Sequence, residues 1–122
     1  MDTILVVDDE TEMTELIAMM LDEDELTVLT AGDGLEALAI ALREHPQLVL
    51  TDIMMPRMNG VELCRRLQED PDTRDTVVLL MTAAGQFEMG ECSPVGLLRK
   101  PFDLDGLSET VRRHLGTASL SA

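Results

Sequence analysis

Polar side chains with reactive groups follow four short apolar runs in this sequence. They are Asp8 and Asp9 after residues 4–7, Asp52 after 48–51, Thr82 after 77–81 and Lys100 shortly after 95–98. Three carboxylates in close contact repel each other unless a cation lies among them. Mg²⁺ prefers carboxylate and phosphate oxygens, and a carboxylate can act as a nucleophile that forms an acyl phosphate. These residue types indicate Mg²⁺-assisted phosphoryl transfer, provided that the fold brings them together.

Lys100 and Thr82 would complete such a site. Phosphoryl transfer requires that charge on the phosphoryl oxygens be neutralised, and it requires little else from the protein. One ammonium group and one hydroxyl donor, together with the cation, would supply this. Lys100 is the only lysine in the chain, and the other eight basic residues are all arginine. A compact ammonium group at this position suggests a specific role.

The reactive residues need a scaffold in which the apolar runs lie side by side. Five such runs have the length of strands, at residues 4–7, 26–30, 48–51, 77–81 and 95–98. Strands that alternate with helices predict βαβ units, and wholly apolar strands predict helices on both faces of the sheet. The pattern therefore predicts an α/β fold, a doubly wound (βα)5 domain with a parallel sheet. The carboxyl ends of its strands would meet at one edge, where sites form in such folds.

The same sequence predicts where helices begin, end and pack. Asp33 and Asn59 are each followed by a glutamate three positions later, which is the capping-box spacing. Gly116 is expected to end the last helix. The residues expected on buried faces are Met13, Leu16, Ile17 and Met20 in the first helix and Leu104, Leu107, Val111 and Leu115 in the last.

The composition excludes several classes of function. The 122 residues include 24 acidic and 9 basic side chains, a net charge of −15, and the first base is Arg43. Binding to nucleic acids or to anionic membranes relies on lysine and arginine, so the charge argues against both. No apolar stretch is long enough to span a bilayer, and the chain does not open with a charged and then apolar leader. We therefore expect a soluble, cytoplasmic protein.

Four short motifs stand at the predicted strand ends. They are Val6-Val7-Asp8-Asp9, the run from Asp52 to Gly60, Thr82-Ala83 and Lys100-Pro101-Phe102. Together and in this order, they resemble the receiver domain of bacterial two-component response regulators, over about residues 2–115. The resemblance implies the flavodoxin-like strand order 2-1-3-4-5. It also implies that residues 1–116 form the receiver domain and residues 117–122 a flexible C-terminal tail.

The resemblance implies a phosphoacceptor and a metal site. Asp52 would accept a phosphoryl group from the phosphohistidine of a sensor histidine kinase or phosphotransfer protein. Asp8, Asp9 and Asp52 would bind Mg²⁺ together with the backbone carbonyl of Met54. A phosphatase that uses an aspartyl nucleophile has a second aspartate two residues later, and Met54 occupies that position here. We therefore expect a switch rather than an enzyme, with only slow self-phosphorylation from small donors and slow self-dephosphorylation.

The resemblance also implies how the phosphoryl group is sensed. Lys100 would pair with it, the hydroxyl of Thr82 would turn to bond one of its oxygens, and Lys100-Pro101 would be a cis peptide. The resulting change of conformation would control a downstream effector or output domain in a phosphorelay. Two features depart from the family. Leu97 stands where an aromatic residue is usual, and the short segment 83–94 predicts a shortened or irregular fourth helix.

Simpler interpretations remain for each residue. Asp8 and Asp9 could be a solvated helix entrance, Asp52 a strand-end cap and Thr82 an ordinary strand residue. The departures from the family also leave open a receiver-like interaction domain that works without phosphorylation. The acid cluster and Lys100 argue against that alternative, because an interaction domain need not retain them.

Overall fold

The computed structural model describes residues 2–21, 26–55, 57–82, 96–99 and 104–121, which contain five strands and four helices. The elements are β1 (Asp2–Val7), α1 (Thr11–Leu21), β2 (Leu26–Ala31), α2 (Gly34–Glu44), β3 (Leu48–Asp52), α3 (Gly60–Glu69), β4 (Val77–Thr82), β5 (Gly96–Arg99) and α4 (Leu104–Ser121). All neighbouring strands are parallel, in the order β2-β1-β3-β4-β5. The predicted α/β fold and its strand order are therefore confirmed.

Helices cover both faces of the sheet. Alternate residues of β1, β3 and β4 point to opposite faces, so each strand contributes to two separate apolar clusters. On one face the strands pack against α2 and α3, through residues such as Ala37 and Leu63. On the other face they pack against α1 and α4, through residues such as Ile17 and Val111. The wholly apolar strands are explained by this double coverage.

The direction of winding reverses in the middle of the sheet. The chain begins at β1, crosses to the edge strand β2, and returns past β1 to β3 before continuing to β4 and β5. Crossovers between parallel strands are right-handed, so α1 lies on one face and the next two helices on the other. A crevice forms where the order reverses, outside the carboxyl ends of β1 and β3. This crevice lies between the two strands that lead into Asp8 and Asp52.

Both predicted helix caps are present. The side chain of Asp33 accepts a hydrogen bond of 2.9 Å from the backbone N–H of Glu36 at the start of α2. The side chain of Asn59 accepts one of 2.8 Å from the backbone N–H of Glu62 at the start of α3. Each cap satisfies a backbone donor that has no partner within the helix.

The predicted buried face of α1 was wrong in one position. Leu16 is 45% exposed, whereas Thr14, Ile17 and Leu21 are buried. The helix is rotated so that Thr14 faces inward, and its hydroxyl donates to the backbone carbonyl of Thr11 at 2.9 Å. A threonine that is satisfied within its own helix can occupy an inward position, and an apolar-periodicity count cannot detect this.

The last helix continues beyond its predicted end. Leu107, Val111 and Leu115 are buried as predicted, but the helical backbone extends past Gly116 to Ser121. A glycine inside a helix costs only about 1 kcal/mol, and no proline follows this one. The predicted helix end was therefore wrong, while the division into a domain and a flexible tail at residue 116 stays a prediction. The side chain of Leu104 and the predicted irregular fourth helix lie outside the described positions.

No helix in the described ranges combines the length and the apolar character that crossing a bilayer requires.

Candidate functional site

The register of the sheet places Asp8 beside Asp52. Val7 of β1 pairs with Thr51 of β3, so the residues that follow them, Asp8 and Asp52, reach the same edge at the same level. One carboxylate oxygen from each of Asp8, Asp9 and Asp52 lies within 4.8 Å of the other two. The predicted convergence of the three acids is therefore present, and it lies at the reversal of strand order.

The three carboxylates differ in their exposure. Asp8 is 1% exposed and Asp52 is 6% exposed, whereas Asp9 is open to solvent. The backbone N–H of Asp8 donates to the carbonyl of Ala31 at 3.2 Å, which continues the ladder between β1 and β2 by one residue. The Asp8 carboxylate accepts a hydrogen bond of 2.9 Å from the backbone N–H of Glu10. The position of Asp8 is thus held by the sheet on one side and by the start of α1 on the other.

This donor set fits a hard divalent cation. Carboxylate oxygens are the ligands that Mg²⁺ selects, and Mg²⁺ usually retains several waters and accepts phosphate oxygens in its remaining positions. Two buried carboxylates would supply fixed ligands, and the exposed Asp9 leaves one side of the site open to water and to a phosphoryl group. Carboxylates this close together repel each other, so the arrangement itself favours a cation among them.

Thr82 ends the neighbouring strand at the same edge. Asp52 pairs with Met81 across β3 and β4, and the backbone N–H of Ile53 donates to the carbonyl of Met81 at 3.0 Å. Thr82 is therefore one residue further along β4, and it is 5% exposed. Its position at the edge was predicted, whereas the switching role of its hydroxyl stays a prediction.

Two other predicted site residues are less well defined. Arg99 of β5 pairs with Thr82, and Lys100 follows Arg99 in the chain, but Lys100 and the Lys100-Pro101 peptide lie outside the described residues. Met54 lies in the loop after β3, and its side chain is 72% exposed. The metal-binding role of its backbone carbonyl stays a prediction.

Comparison with known proteins identifies the architecture. The family model described as response regulator receiver domain matches residues 4–112. The chain belongs to this family. It is a receiver domain of two-component response regulators, and the family typically binds Mg²⁺ at an acidic cluster of this kind.

Curated relatives of this receiver domain differ greatly in length. It is 34% identical over 119 residues to the DNA-binding dual master transcriptional regulator RpaA of Synechocystis, covering 94% of this chain and 49% of that protein. It is 40% identical over 104 residues to response regulator PleD of Caulobacter vibrioides, covering 82% of this chain and 23% of that protein. It is also 34% identical over 119 residues to sporulation initiation phosphotransferase F of Bacillus subtilis, covering 93% of this chain and 94% of that protein. The chain therefore spans half or less of the first two relatives and nearly all of the third.

Solved structures agree with this assignment. A response regulator receiver domain protein from Clostridium thermocellum superposes with a TM-score of 0.87 at 28% identity, covering 100% of both chains. The signal receiver domain of a histidine kinase from Syntrophus aciditrophicus gives a TM-score of 0.87 at 29% identity, covering 96% of this chain and 92% of that one.

The loop of the receiver domain between β3 and α3 (residues 53–59, of which residue 56 lies outside the described residues) is held by contacts that the sequence did not reveal. The backbone N–H of Gly60 donates to the carbonyl of Ile53 at 2.9 Å, which closes the loop. A methyl group on Gly60 would lie well inside van der Waals distance of the backbone carbonyl oxygen of Asp52. A methyl group on Gly34 would collide in the same way with the carbonyl of Met58. The sequence signal for these close contacts is a glycine at the first position of both α2 and α3, because most other residues are tolerated at the first position of a helix.

An ion pair joins the same loop to α2. The guanidinium of Arg57 donates to the Asp33 carboxylate through Nη2 and, at 3.1 Å, through Nε. The backbone N–H of Glu36 and the adjacent Arg57 both hold the pKa of Asp33 below its ordinary value, although burial acts in the opposite direction. The two residues are 24 positions apart, so local patterns in the sequence could not predict the pair.

Acid is expected to weaken this connection in the receiver domain. A carboxyl group whose pKa is lower in the folded state contributes stability above its unfolded pKa, which is about 3.9 for aspartate. That stability is lost as the pH falls through the lowered pKa. We expect Asp33→Asn to reduce the loss of stability as the pH falls from neutral into the acid range below the unfolded pKa of aspartate. Urea unfolding of both proteins across this range would measure it, and identical acid dependence would contradict the cause assigned here.

Proposed function

We propose that this domain is a phosphorylation switch whose phosphoacceptor is Asp52. The observation that carries the proposal is the cluster of three carboxylates within 4.8 Å at the reversal of strand order. Asp52 ends β3 in the crevice where ligands of such folds bind. Its backbone is held by pairing with β4, so the carboxylate has a fixed position for attack on an incoming phosphoryl group.

The proposed reaction is the transfer of a phosphoryl group from phosphohistidine. An oxygen of the Asp52 carboxylate attacks phosphorus, a P–O bond forms and the P–N bond to the imidazole breaks. The imidazole nitrogen retains the electron pair of the broken bond. When the other ring nitrogen carries a proton, neutral histidine is released without a further proton transfer. The product is an acyl phosphate on Asp52.

The neighbouring residues would support this transfer through charge. Asp8 and Asp9 would hold the metal ion beside the attacking oxygen, with the carbonyl of Met54 as a further ligand. Mg²⁺, when bound, would neutralise charge on the phosphoryl oxygens. Lys100 would add an ammonium group to the same oxygens, and the hydroxyl of Thr82 would donate to one of them.

We infer that the domain acts as a switch and not as an enzyme with turnover. The position two residues after Asp52 is Met54, which cannot act as a general acid. The acyl phosphate would therefore persist until slow hydrolysis releases it. A phosphoryl group adds up to about two negative charges and three acceptor oxygens, so it would favour one of two existing conformations.

The proposed partners are a histidine kinase or phosphotransfer protein before the domain and an effector after it. Two relatives are named as a DNA-binding transcriptional regulator and as a phosphotransferase, so relatives of this domain serve different outputs. The net charge of −15 would favour a basic partner surface and disfavour direct contact with nucleic acid. The cytoplasmic location expected from the sequence stays a prediction, which fractionation of cells that express the tagged protein would test.

The experiment that tests this function measures phosphate uptake by intact mass. The protein is incubated with acetyl phosphate and Mg²⁺, and acetate is the leaving group in place of histidine. We expect one hydroxylamine-labile phosphoryl adduct, which is absent from Asp52→Asn and after chelation of Mg²⁺. Asp75→Asn, an exposed aspartate before the opposite end of β4, is the matched control and should retain the adduct. An undiminished adduct on Asp52→Asn would refute the proposal.

A second candidate is an interaction domain that works without phosphorylation. Leu97 lies on β5 with 40% of its surface exposed, at the position where related domains usually have an aromatic residue. This candidate requires partner binding that Asp52→Ala and chelation of Mg²⁺ both leave unchanged. A large effect of phosphorylation on the same binding would exclude it.

A further inference from the structure

We propose that Arg57 and Asp33 form a clamp that positions the loop 53–59 for binding of the metal ion. The inference rests on the proposed function, because this loop begins directly after Asp52 and contains the expected ligand Met54. Neither residue is among those expected to touch the ion. We therefore assign both as positioning residues.

The contacts of the loop support this role. Asp33 is the N-cap of α2, a helix anchored to the sheet by the buried Ala37 and Ala41. Arg57 donates two hydrogen bonds to the carboxylate oxygen Oδ2 of Asp33, while Oδ1 accepts the capping bond from Glu36. One carboxylate thus fixes the start of α2 and the far part of the loop at once.

Two close backbone contacts hold the loop beside the ion pair. The backbone of Met58, the residue after Arg57, lies against Gly34, the residue after Asp33. At the end of the loop, Gly60 lies against the backbone carbonyl of Asp52. The ion pair is the only one of these contacts that can be removed without inserting atoms into a packed region. It therefore offers a clean test of whether loop position affects the site.

The backbone of Arg57 gives a second, independent reason to assign a role to its side chain. Arg57 has a φ of 66°, in the left-handed region that residues other than glycine rarely adopt. Glycine would adopt this conformation without strain, but it would have no side chain to reach Asp33. At this position, which favours glycine, arginine supplies the side chain that reaches Asp33.

The variants separate loss of the ion pair from loss of the helix cap and from relief of backbone strain. Asp33→Asn retains a capping oxygen and removes the charge, because asparagine caps helices as well as aspartate does. Arg57→Gln removes the charge and keeps the left-handed residue, and Arg57→Gly removes the strain as well. Arg43→Gln, which disrupts the exposed pair between Arg43 and Glu44 at the end of α2, is the matched control.

Mg²⁺ affinity is the first measurement, by isothermal titration calorimetry without any phosphodonor. An ion pair at the protein surface contributes at most about a fivefold change in an equilibrium, and here the side chain of Arg57 is 59% exposed while that of Asp33 is 12% exposed. We therefore expect Asp33→Asn and Arg57→Gln each to weaken Mg²⁺ binding about two- to fivefold. The double variant should be no weaker than either single variant, because both remove the same contact. Arg57→Gly should also bind Mg²⁺ more weakly, although relief of strain makes it more stable than Arg57→Gln.

The second measurement is the dependence of phosphorylation on Mg²⁺ concentration. We expect the half-saturating Mg²⁺ concentration to rise in the clamp variants while the rate at saturating Mg²⁺ stays near that of the wild type. A purely structural role would lower the melting temperature and leave both quantities unchanged, which would overturn the proposal. Equal Mg²⁺ affinity in all variants, or additive effects in the double variant, would also overturn it.

The two measurements, Mg²⁺ affinity and phosphorylation, distinguish failure of the clamp from failure of the proposed function. If the wild type binds Mg²⁺ but accepts no phosphate, the proposed function fails and calorimetry still decides on the clamp. If the wild type is phosphorylated and the clamp variants bind Mg²⁺ as it does, the clamp fails alone.

Discussion

Asp8→Asn is expected to slow phosphorylation on the order of 100-fold at a Mg²⁺ concentration that saturates the wild type. The substitution removes one of two buried carboxylates from the cluster. Asparagine retains an oxygen that can accept the backbone N–H of Glu10, so the local fold should persist. The loss therefore reports on charge and metal binding rather than on structure.

The same substitution should stabilise the protein in the absence of metal. Carboxylates within 4.8 Å of one another repel, and removal of one charge should raise the free energy of unfolding by about 1 kcal/mol at neutral pH. An ion that binds only the folded state raises stability as its concentration rises, so we expect Mg²⁺ to stabilise the wild type. We expect this rise to be absent, or much smaller, in Asp8→Asn.

Urea unfolding with and without Mg²⁺ measures both effects. Asp2→Asn, at the opposite end of the same strand, is the matched control and should change neither the rate nor the response to Mg²⁺. If Mg²⁺ stabilised Asp8→Asn as much as the wild type, the assignment of the cluster as the metal site would be contradicted.

Gly60→Ala is expected to destabilise the domain by about 2–3 kcal/mol, because a methyl group there collides with the backbone carbonyl of Asp52. Backbone atoms at the end of a central strand cannot move aside as a flexible side chain can. Either α3 shifts outward or the end of β3 is displaced, and both disturb the position of Asp52. We therefore expect weaker Mg²⁺ binding in addition to a melting temperature lower by about 10 °C.

Gly32→Ala is the control for Gly60→Ala. Gly32 is exposed, and a methyl group there would meet only the carboxylate of Glu36, at 4.0 Å. Its effect on stability should stay within about 0.5 kcal/mol. Equal stability of Gly60→Ala and the wild type would show that the close approach of α3 to β3 is not required.

The fold was predictable from the sequence because its strands and caps are local signals. Five apolar runs gave the strands, and the capping residues Asp33 and Asn59 gave two helix starts that the structure confirms. The face of α1 was less predictable, because Thr14 satisfies its hydroxyl within the helix and displaces Leu16 toward solvent. The end of α4 was missed because a glycine alone does not stop a helix.

The site was predictable where it depends on strand ends and unpredictable where it depends on long-range contacts. Parallel strands bring their carboxyl ends together, so Asp8 and Asp52 could be placed at one edge from the sequence alone. The pair between Arg57 and Asp33 depends on the path of a loop across the N-terminus of a helix. No periodicity or local propensity encodes such a path.

Chemical mapping of the phosphoryl group tests the central claim most directly. The protein is phosphorylated with acetyl phosphate and Mg²⁺, and sodium borohydride then reduces the acyl phosphate to an alcohol, which converts the modified aspartate to homoserine. Peptide mass spectrometry locates the homoserine among the aspartate positions of the chain. We predict homoserine at position 52 alone, and none when Mg²⁺ is chelated. Homoserine at another aspartate position, with Asp52 unmodified, would contradict the account.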